Sequence, residues 1–326
     1  MKKKSKLTIL SILTSAVIMT SSVPVDPTTN HFVSSYYNVL IDDIVSDYEF
    51  VSDKDNFVHT NNYIPQGITV MNDYVLVTSY DYYKDKNSIV CVYDKDGNLV
   101  NRCVLNNKAH VGGITYDKDN DLVWITSYYG LIDAYNSGDF LYDTDIEPLY
   151  KDIMVGDNLP NYRYPWLDTA SFVTYYNGYL YVGNFSLNNQ GMVKRYTIKI
   201  DDNKLTLRYI DSFNIPDMVQ GITFYNKDDK EYIIFSRSYG QDESSALQIF
   251  RYDENIRDYK DKSLVNVTYK MDPMLEQVVV DGNNLYTLFE LNAKPYKLVQ
   301  DKDYDSVPVL DTDELVKRLE LKIDTN

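Results

Sequence analysis

The sequence predicts an all-β protein folded as a single β-propeller of five four-stranded blades. Three observations carry that expectation. A short template recurs five times, in which a polar residue and usually a small one open an apolar β-branched or aromatic run. Its copies are Gln66-Gly67-Ile68, Gly112-Gly113-Ile114, Ala170-Ser171-Phe172, Gln220-Gly221-Ile222 and Glu276-Gln277-Val278. Counted on the third residue, the copies lie 46, 58, 50 and 56 residues apart, the period of a repeat array. Each copy is followed by the same rhythm: a polar turn, a second apolar run and a third. That is how a propeller blade reads in sequence.

The chain opens on a segment to be set aside. Lys2, Lys3, Lys4 and Lys6 precede an uncharged apolar stretch from Leu7 to Thr20, with small residues Thr20 and Ser22 before Val23. This is the pattern of a secretory signal peptide, residues 1–22, too short for a membrane span. The expected location is therefore secreted or on the cell envelope. Residues 23–47 read as a partly disordered leader, 48–310 as the propeller and 311–326 as a C-terminal helical tail.

The first blade is the clearest. Gly67–Val70 is the inner strand, Met71-Asn72-Asp73-Tyr74 a turn, and Val75–Tyr80, Ser88–Tyr93 and Leu99–Leu105 the remaining strands. Asp96-Gly97 between two β-rich runs signals the last hairpin. The only two cysteines, Cys91 and Cys103, flank that turn. Opposed residues of a hairpin reach disulfide distance in a non-hydrogen-bonded pair, and export permits oxidation. Two half-buried thiols are the alternative.

Later blades keep the first turn at 117–121, 176–178, 226–230 and 281–283. Third strands are expected at Leu131–Tyr135, Met192–Ile198, Leu247–Tyr252 and Tyr296–Gln300. The fifth copy has no fourth strand of its own, so a segment near Tyr48–Asp53 is expected to close the ring and remove its open edges. A sixth blade would need an inner strand within 136–165 or 31–60, where the template is absent. Asp311–Leu321, acidic early and basic late with spaced leucines, predicts the helix.

The formal charge of −16 becomes −20 once the signal peptide takes away four lysines and no acid. Such a surface excludes nucleic acid and anionic membrane as partners, because phosphate contacts need clustered Lys and Arg. The 32 tyrosines suit strands with one wet face.

Propeller geometry sorts the candidate chemistry. Starts of inner strands and ends of second strands share one face near the axis. The first set supplies Gln66, His110, Asp168, Gln220 and Glu276; the second supplies Tyr80, Tyr128, Asn184, Arg237, Tyr239 and Glu290. They outline a polar mouth with an aromatic rim, where a concave site belongs. His110 with Asp168 and Glu276 is a candidate catalytic group, since His and carboxylates serve as general base or metal ligands. Asp168, Asn184, Glu276 and Glu290 are a candidate set for calcium or another divalent cation, which takes oxygen ligands. The bland readings are structural: glycines that permit close approach at the axis, glutamines that satisfy backbone groups, and a hydrogen-bonded loop histidine. The sequence contains no GxSxG, HExxH, P-loop or Rossmann fingerprint.

Pro65-Gln66-Gly67-Ile68-Thr69 and Val219-Gln220-Gly221-Ile222-Thr223 resemble the blade starts of secreted bacterial propellers. Over residues 48–300 the chain is loosely similar to the plant-type glutaminyl cyclase family, within a superfamily that includes calcium-dependent lactonases of the gluconolactonase type. The resemblance implies five blades, an axial Glu/Asn/Asp calcium site, and acyl transfer or lactone hydrolysis. The Glu-Gly-Pro that opens the first blade of the lactonases is replaced by Gln66-Gly67-Ile68, so no catalytic role is carried across. The leading expectation is an exported, monomeric propeller that binds a small molecule, glycan or peptide at the axial mouth. A His/carboxylate or metal-assisted hydrolase or acyltransferase, and a cell-surface interaction platform, are the alternatives.

Overall fold

The computed structural model describes residues 33–37 as backbone, and 62–155, 170–290, 293, 296 and 307–325. The expected signal peptide, the segment Tyr48–Asp53, His31, His59 and Asp168 lie outside these residues. Among the described residues no helix is long and apolar enough to cross a membrane.

Among the described residues twenty-one strands form five sheets. Strand β1 (Val33–Tyr37) comes first in the chain and joins the last blade. Blade 1 holds β2 (Tyr63–Met71), β3 (Tyr74–Asp81), β4 (Ile89–Tyr93) and β5 (Leu99–Leu105). Blade 2 holds β6 (Ile114–Asp117), β7 (Leu122–Thr126), β8 (Leu131–Asn136) and β10 (Tyr150–Met154). Between its last two strands lie helix α1 (Asp139–Tyr142) and β9 (Asp145–Ile146), which adds in parallel to β5. Blade 3 holds β11 (Phe172–Tyr176), β12 (Tyr179–Gly183), β13 (Met192–Asp201) and β14 (Lys204–Asn214). Blade 4 holds β15 (Val219–Lys227), β16 (Lys230–Arg237), β17 (Ser245–Arg251) and β18 (Asn266–Met271). Blade 5 holds β19 (Leu275–Asp281), β20 (Asn284–Phe289), β21 (Val307–Asp311) and β1. Helix α2 (Thr312–Asp324) ends the fold. The five-bladed propeller is as the repeat predicts.

Three local expectations are corrected. The strand that closes the ring is Val33–Tyr37, inside the segment read as leader. The third strand of blade 5 is β21, in register with β20 through Leu285↔Leu310 and Tyr286↔Val309, not Tyr296–Gln300. Val307, Val309 and Leu310 supply the apolar side chains that a strand between two seams must bury. Cys91 and Cys103 are not disulfide-bonded. The register pairs Cys91 with Arg102 and Cys103 with Val90, so the two thiols point to opposite faces of blade 1. Cys91 packs in the seam with blade 5 and Cys103 in the seam with blade 2.

Strand alternation divides the core into five apolar clusters, one in each seam between neighbouring blades. Leu76 and Val92 face blade 2, for instance, while Val75 and Val77 face blade 5. Each fully buried aliphatic or aromatic side chain contributes about 1.5–3 kcal/mol. Helix α2 is capped by the Asp311 carboxylate, which accepts from the Asp313 and Glu314 amides, and lays Leu315, Val316 and Leu319 on the seam of blades 4 and 5.

The inner strands β2, β6, β11, β15 and β19 neighbour one another in that order, and β19 returns to β2. Four seams are stitched by a threonine hydroxyl. Thr69 Oγ1 accepts from Tyr116 N, Thr115 Oγ1 from Tyr175 N and Thr223 Oγ1 from Val280 N, while Thr174 Oγ1 donates to Ile222 O. Gln277 stitches the fifth. Its Oε1 accepts from Ile68 N at 3.2 Å and Ile114 N at 3.0 Å, and its Nε2 donates to Ile114 O at 2.8 Å and Val173 O at 3.3 Å. One side chain from blade 5 thus bonds to blades 1, 2 and 3 and fills the axis. The small residues of the template make room for it: a Cβ on Gly67 would stand 3.0 Å from Gln277 Oε1, and one on Gly221 3.0 Å from Gln277 Cα. Their role at the axis is close packing.

Candidate functional site

The template places its polar residue by a repeated backbone irregularity. In blades 1, 4 and 5 the ladder between the first two strands slips once, between Pro65 and Gly67, Val219 and Gly221, and Leu275 and Val278. A bulge releases the extra residue from the pleat and re-aims its side chain. The residues at the slips are Gln66, Gln220 and Glu276, at the mouth. Gly112 and Ala170 hold the same place in blades 2 and 3 and bring no polar side chain there.

Glu276 and Glu290 meet at the seam of blades 5 and 1. Glu276 is buried, 6% exposed. Glu290 follows β20, and its carboxylate accepts from Gln66 Nε2, which also donates to Pro65 O at 2.9 Å. Burial, then repulsion from Glu290, holds the Glu276 pKa well above the usual carboxylate range. Burial raises Glu290 to about 7, against the opposing hydrogen bond from Gln66. No lysine or arginine among the described residues figures in either shift.

Tyrosines wall this pair. Burial and then the Glu290 charge push the Tyr80 phenol above its ordinary value, with Tyr296 and Glu276 adding to the shift. Burial and Glu290 raise Tyr296 to about 12. The His110 ring lies 4.4 Å from that of Tyr80, tilted by 38°. His110 is exposed yet densely surrounded, as on a concave wall; desolvation and then the Lys84 charge lower its pKa, so it is neutral at pH 7. No carboxylate among the described residues figures in that shift.

Gln66, Tyr80, His110, Glu276 and Glu290 are therefore brought together. The other expected residues hold separate places at the mouth. Asn184 closes its own loop, accepting from Met192 N and donating to Gln190 O. Gln220 donates to Ser238 O. Arg237 donates to Asp217 O and Gln248 Oε1, and burial lowers its pKa. Tyr128 OH accepts from Lys108 N, and Tyr239 stacks on Phe185. Asp168 lies outside the described residues. Among those residues no group of three or more His, Cys, Asp or Glu side chains is arranged to hold a metal ion.

Two residues escaped the sequence reading. Gln277 was legible as the one large side chain in the second slot of the template, among Gly67, Gly113, Ser171 and Gly221. Tyr296 was taken for strand; nothing in its neighbourhood marks it as a wall of the mouth.

No protein-family model and no curated protein matches the chain. Solved structures do. The WD40 β-propeller domain of Doa1 is similar at 12% identity and TM-score 0.37, over 70% of this chain and 62% of that one. The RRP9 WD40 repeats match at 9% identity and TM-score 0.40, over 76% and 94%. BamB from Moraxella catarrhalis matches at 13% identity and TM-score 0.34, over 75% and 71%. This chain spans about three fifths of the Doa1 structure. At this similarity no function is transferred.

Proposed function

We propose that the protein is an exported binding propeller whose axial mouth holds a ligand carrying a positive charge, an organic ammonium, between Glu276 and Glu290. The observation that carries this reading is the coupling of a buried acid, Glu276, to a half-buried one, Glu290, with no basic side chain among the described residues to offset them. Burying a carboxylate is costly unless it is paired and hydrogen-bonded. An arriving cation would offset that cost. The phenol groups of Tyr80 and Tyr296 beside the acids add oxygen acceptors for an ammonium's N–H donors. Calcium takes six to eight oxygens, and among the described residues the two carboxyls fall short of that set.

Calorimetric titration of the purified protein with ethanolamine and with calcium chloride tests the reading. Saturable binding of the amine, weakened about tenfold or more in Glu276→Gln, is expected. Binding of calcium alone, with the amine inert, would overturn it.

Hydrolysis or acyl transfer is a second reading with its own support. A carboxyl raised to about 7, with the Tyr80 ring between it and the His110 imidazole, supplies two groups suited to proton transfer. Turnover of an ester or lactone that falls in both Glu290→Gln and His110→Gln would favour it.

A further inference from the structure

The described connections between second and third strands emerge on the mouth face, because inner strands leave that face and second strands return to it. Four of them are described: residues 82–88, 127–130, 184–191 and 238–244. Six of the thirteen large apolar or aromatic side chains exposed among the described residues lie in these short loops. Five are tyrosines: Tyr82 (44% exposed), Tyr83 (63%), Tyr128 (42%), Tyr129 (81%) and Tyr239 (53%). The fifth such connection contributes Tyr296, whose ring meets Tyr82 edge-on at 6.2 Å. Opposite, the 1–2 and 3–4 turns carry acids instead, among them Asp73, Asp94, Asp119, Asp202 and Asp228.

Exposed rings at this density have a hydrophobic cost unless something covers them. Tyrosine offers a flat apolar face and a hydroxyl at its edge. The complement is a chain of units that are apolar on their faces and hydroxylated at their edges, which describes a pyranose oligosaccharide. Charge at the rim supports the same class. On a protein of net −16, the four loops carry only Lys84, Lys86, Asp85, Asp242 and Glu243 as charged residues. Loop 184–191 adds Asn184, Asn188, Asn189 and Gln190, amides that both donate and accept. Two lysines against three acids leave the rim nearly neutral, which gives a polybasic peptide few partners and suits an uncharged sugar chain. The acid pair beneath the rim then asks for one amino group.

We infer that the mouth binds an oligosaccharide containing a free amino sugar, its ammonium between Glu276 and Glu290 and its following rings on the rim tyrosines. The inference rests on the ammonium reading above and adds the class of molecule that bears the charge.

Glucosamine, its β-1,4-linked tetramer in which the other three units are N-acetylated, the fully N-acetylated tetramer and tetralysine would be titrated into the full protein by calorimetry. Affinity is expected to rise about tenfold or more from glucosamine to its tetramer, with the fully N-acetylated tetramer weak. The double variant Tyr129→Ala/Tyr239→Ala should bring the tetramer down to monomer affinity and leave glucosamine binding unchanged. Both rings are open to solvent, and a thermal melt checks that the variant is folded. If glucosamine binds and length adds nothing, the inference fails while the ammonium site stands. Equal binding of the fully N-acetylated tetramer, or a tyrosine-dependent gain with tetralysine instead, also overturns it. If neither glucosamine nor ethanolamine binds, both readings fall.

Discussion

Gln277 pairs with Ile114 across the axis as a strand would, accepting from its N–H at 3.0 Å and donating to its C=O at 2.8 Å. The partners belong to blades 5 and 2, which are not neighbours in the ring. Removing this side chain leaves backbone groups of blades 1, 2 and 3 buried and unpaired, each costing about 1–3 kcal/mol. Gln277→Leu, which keeps the volume, should lose about 3 kcal/mol or more in urea unfolding. A loss below about 0.5 kcal/mol would show that the axis does not depend on these bonds.

Close approach at the axis predicts a contrast between two glycines. A Cβ on Gly113 would meet Val173 N at 2.5 Å and Phe172 Cα at 2.6 Å, backbone atoms that cannot swing aside, whereas one on Gly138 meets nothing within 4 Å. Gly113→Ala should destabilise by about 1–3 kcal/mol. Gly138→Ala should be neutral or gain about 0.5 kcal/mol through the unfolded chain. Equal effects in thermal melts would contradict the packing described.

The acid pair makes stability depend on pH in a stated direction. A carboxyl whose pKa is higher folded than unfolded leaves the folded state with more protons between the two values, so stability falls as pH rises through that window. For Glu290 the window runs from 4.5 to about 7, and Glu276 shifts in the same sense. Glu276→Gln should therefore gain on the parent between about pH 5 and pH 8, reaching roughly 1–3 kcal/mol. A difference that is flat with pH, or favours the parent at the alkaline end, would show that the pair is not strained by charge.

The two cysteines should behave as thiols of separate cores. Burial pushes the Cys103 thiol up, which slows its oxidation. Thiol titration of the denatured, unreduced protein should find two groups, and reductant should leave the melting temperature unchanged. A mass two hydrogens lower, restored by reductant, would contradict the register of β4 and β5.

Much of this architecture was legible because propeller blades repeat local rules. Template, turns and alternation fixed five inner strands and the face to which Gln66, Glu276, Tyr80 and Glu290 belong. What escaped depended on long-range pairing. Val33–Tyr37 carries no template, and only the edge left by β21 selects it as the closing strand. The disulfide expectation failed through a one-residue offset in β4 and β5, enough to send Cys91 and Cys103 into different seams. Glu276 was singled out as polar and its neighbour Gln277 was not, although a lone large residue among four small ones marks a plug. Tyr296 sits beyond β20 in a connection whose length hides its destination.

The central claim is that ionised Glu276 and Glu290 hold an organic cation. The most direct measurement is the pH dependence of tetramethylammonium affinity, because the charge of that probe does not titrate. Affinity should climb between about pH 5 and pH 8 as the pair ionises, with the rise centred near the Glu290 value of about 7 and lost in the double variant Glu276→Gln/Glu290→Gln. An affinity unchanged across that range, or retained in full by the double variant, would contradict the account.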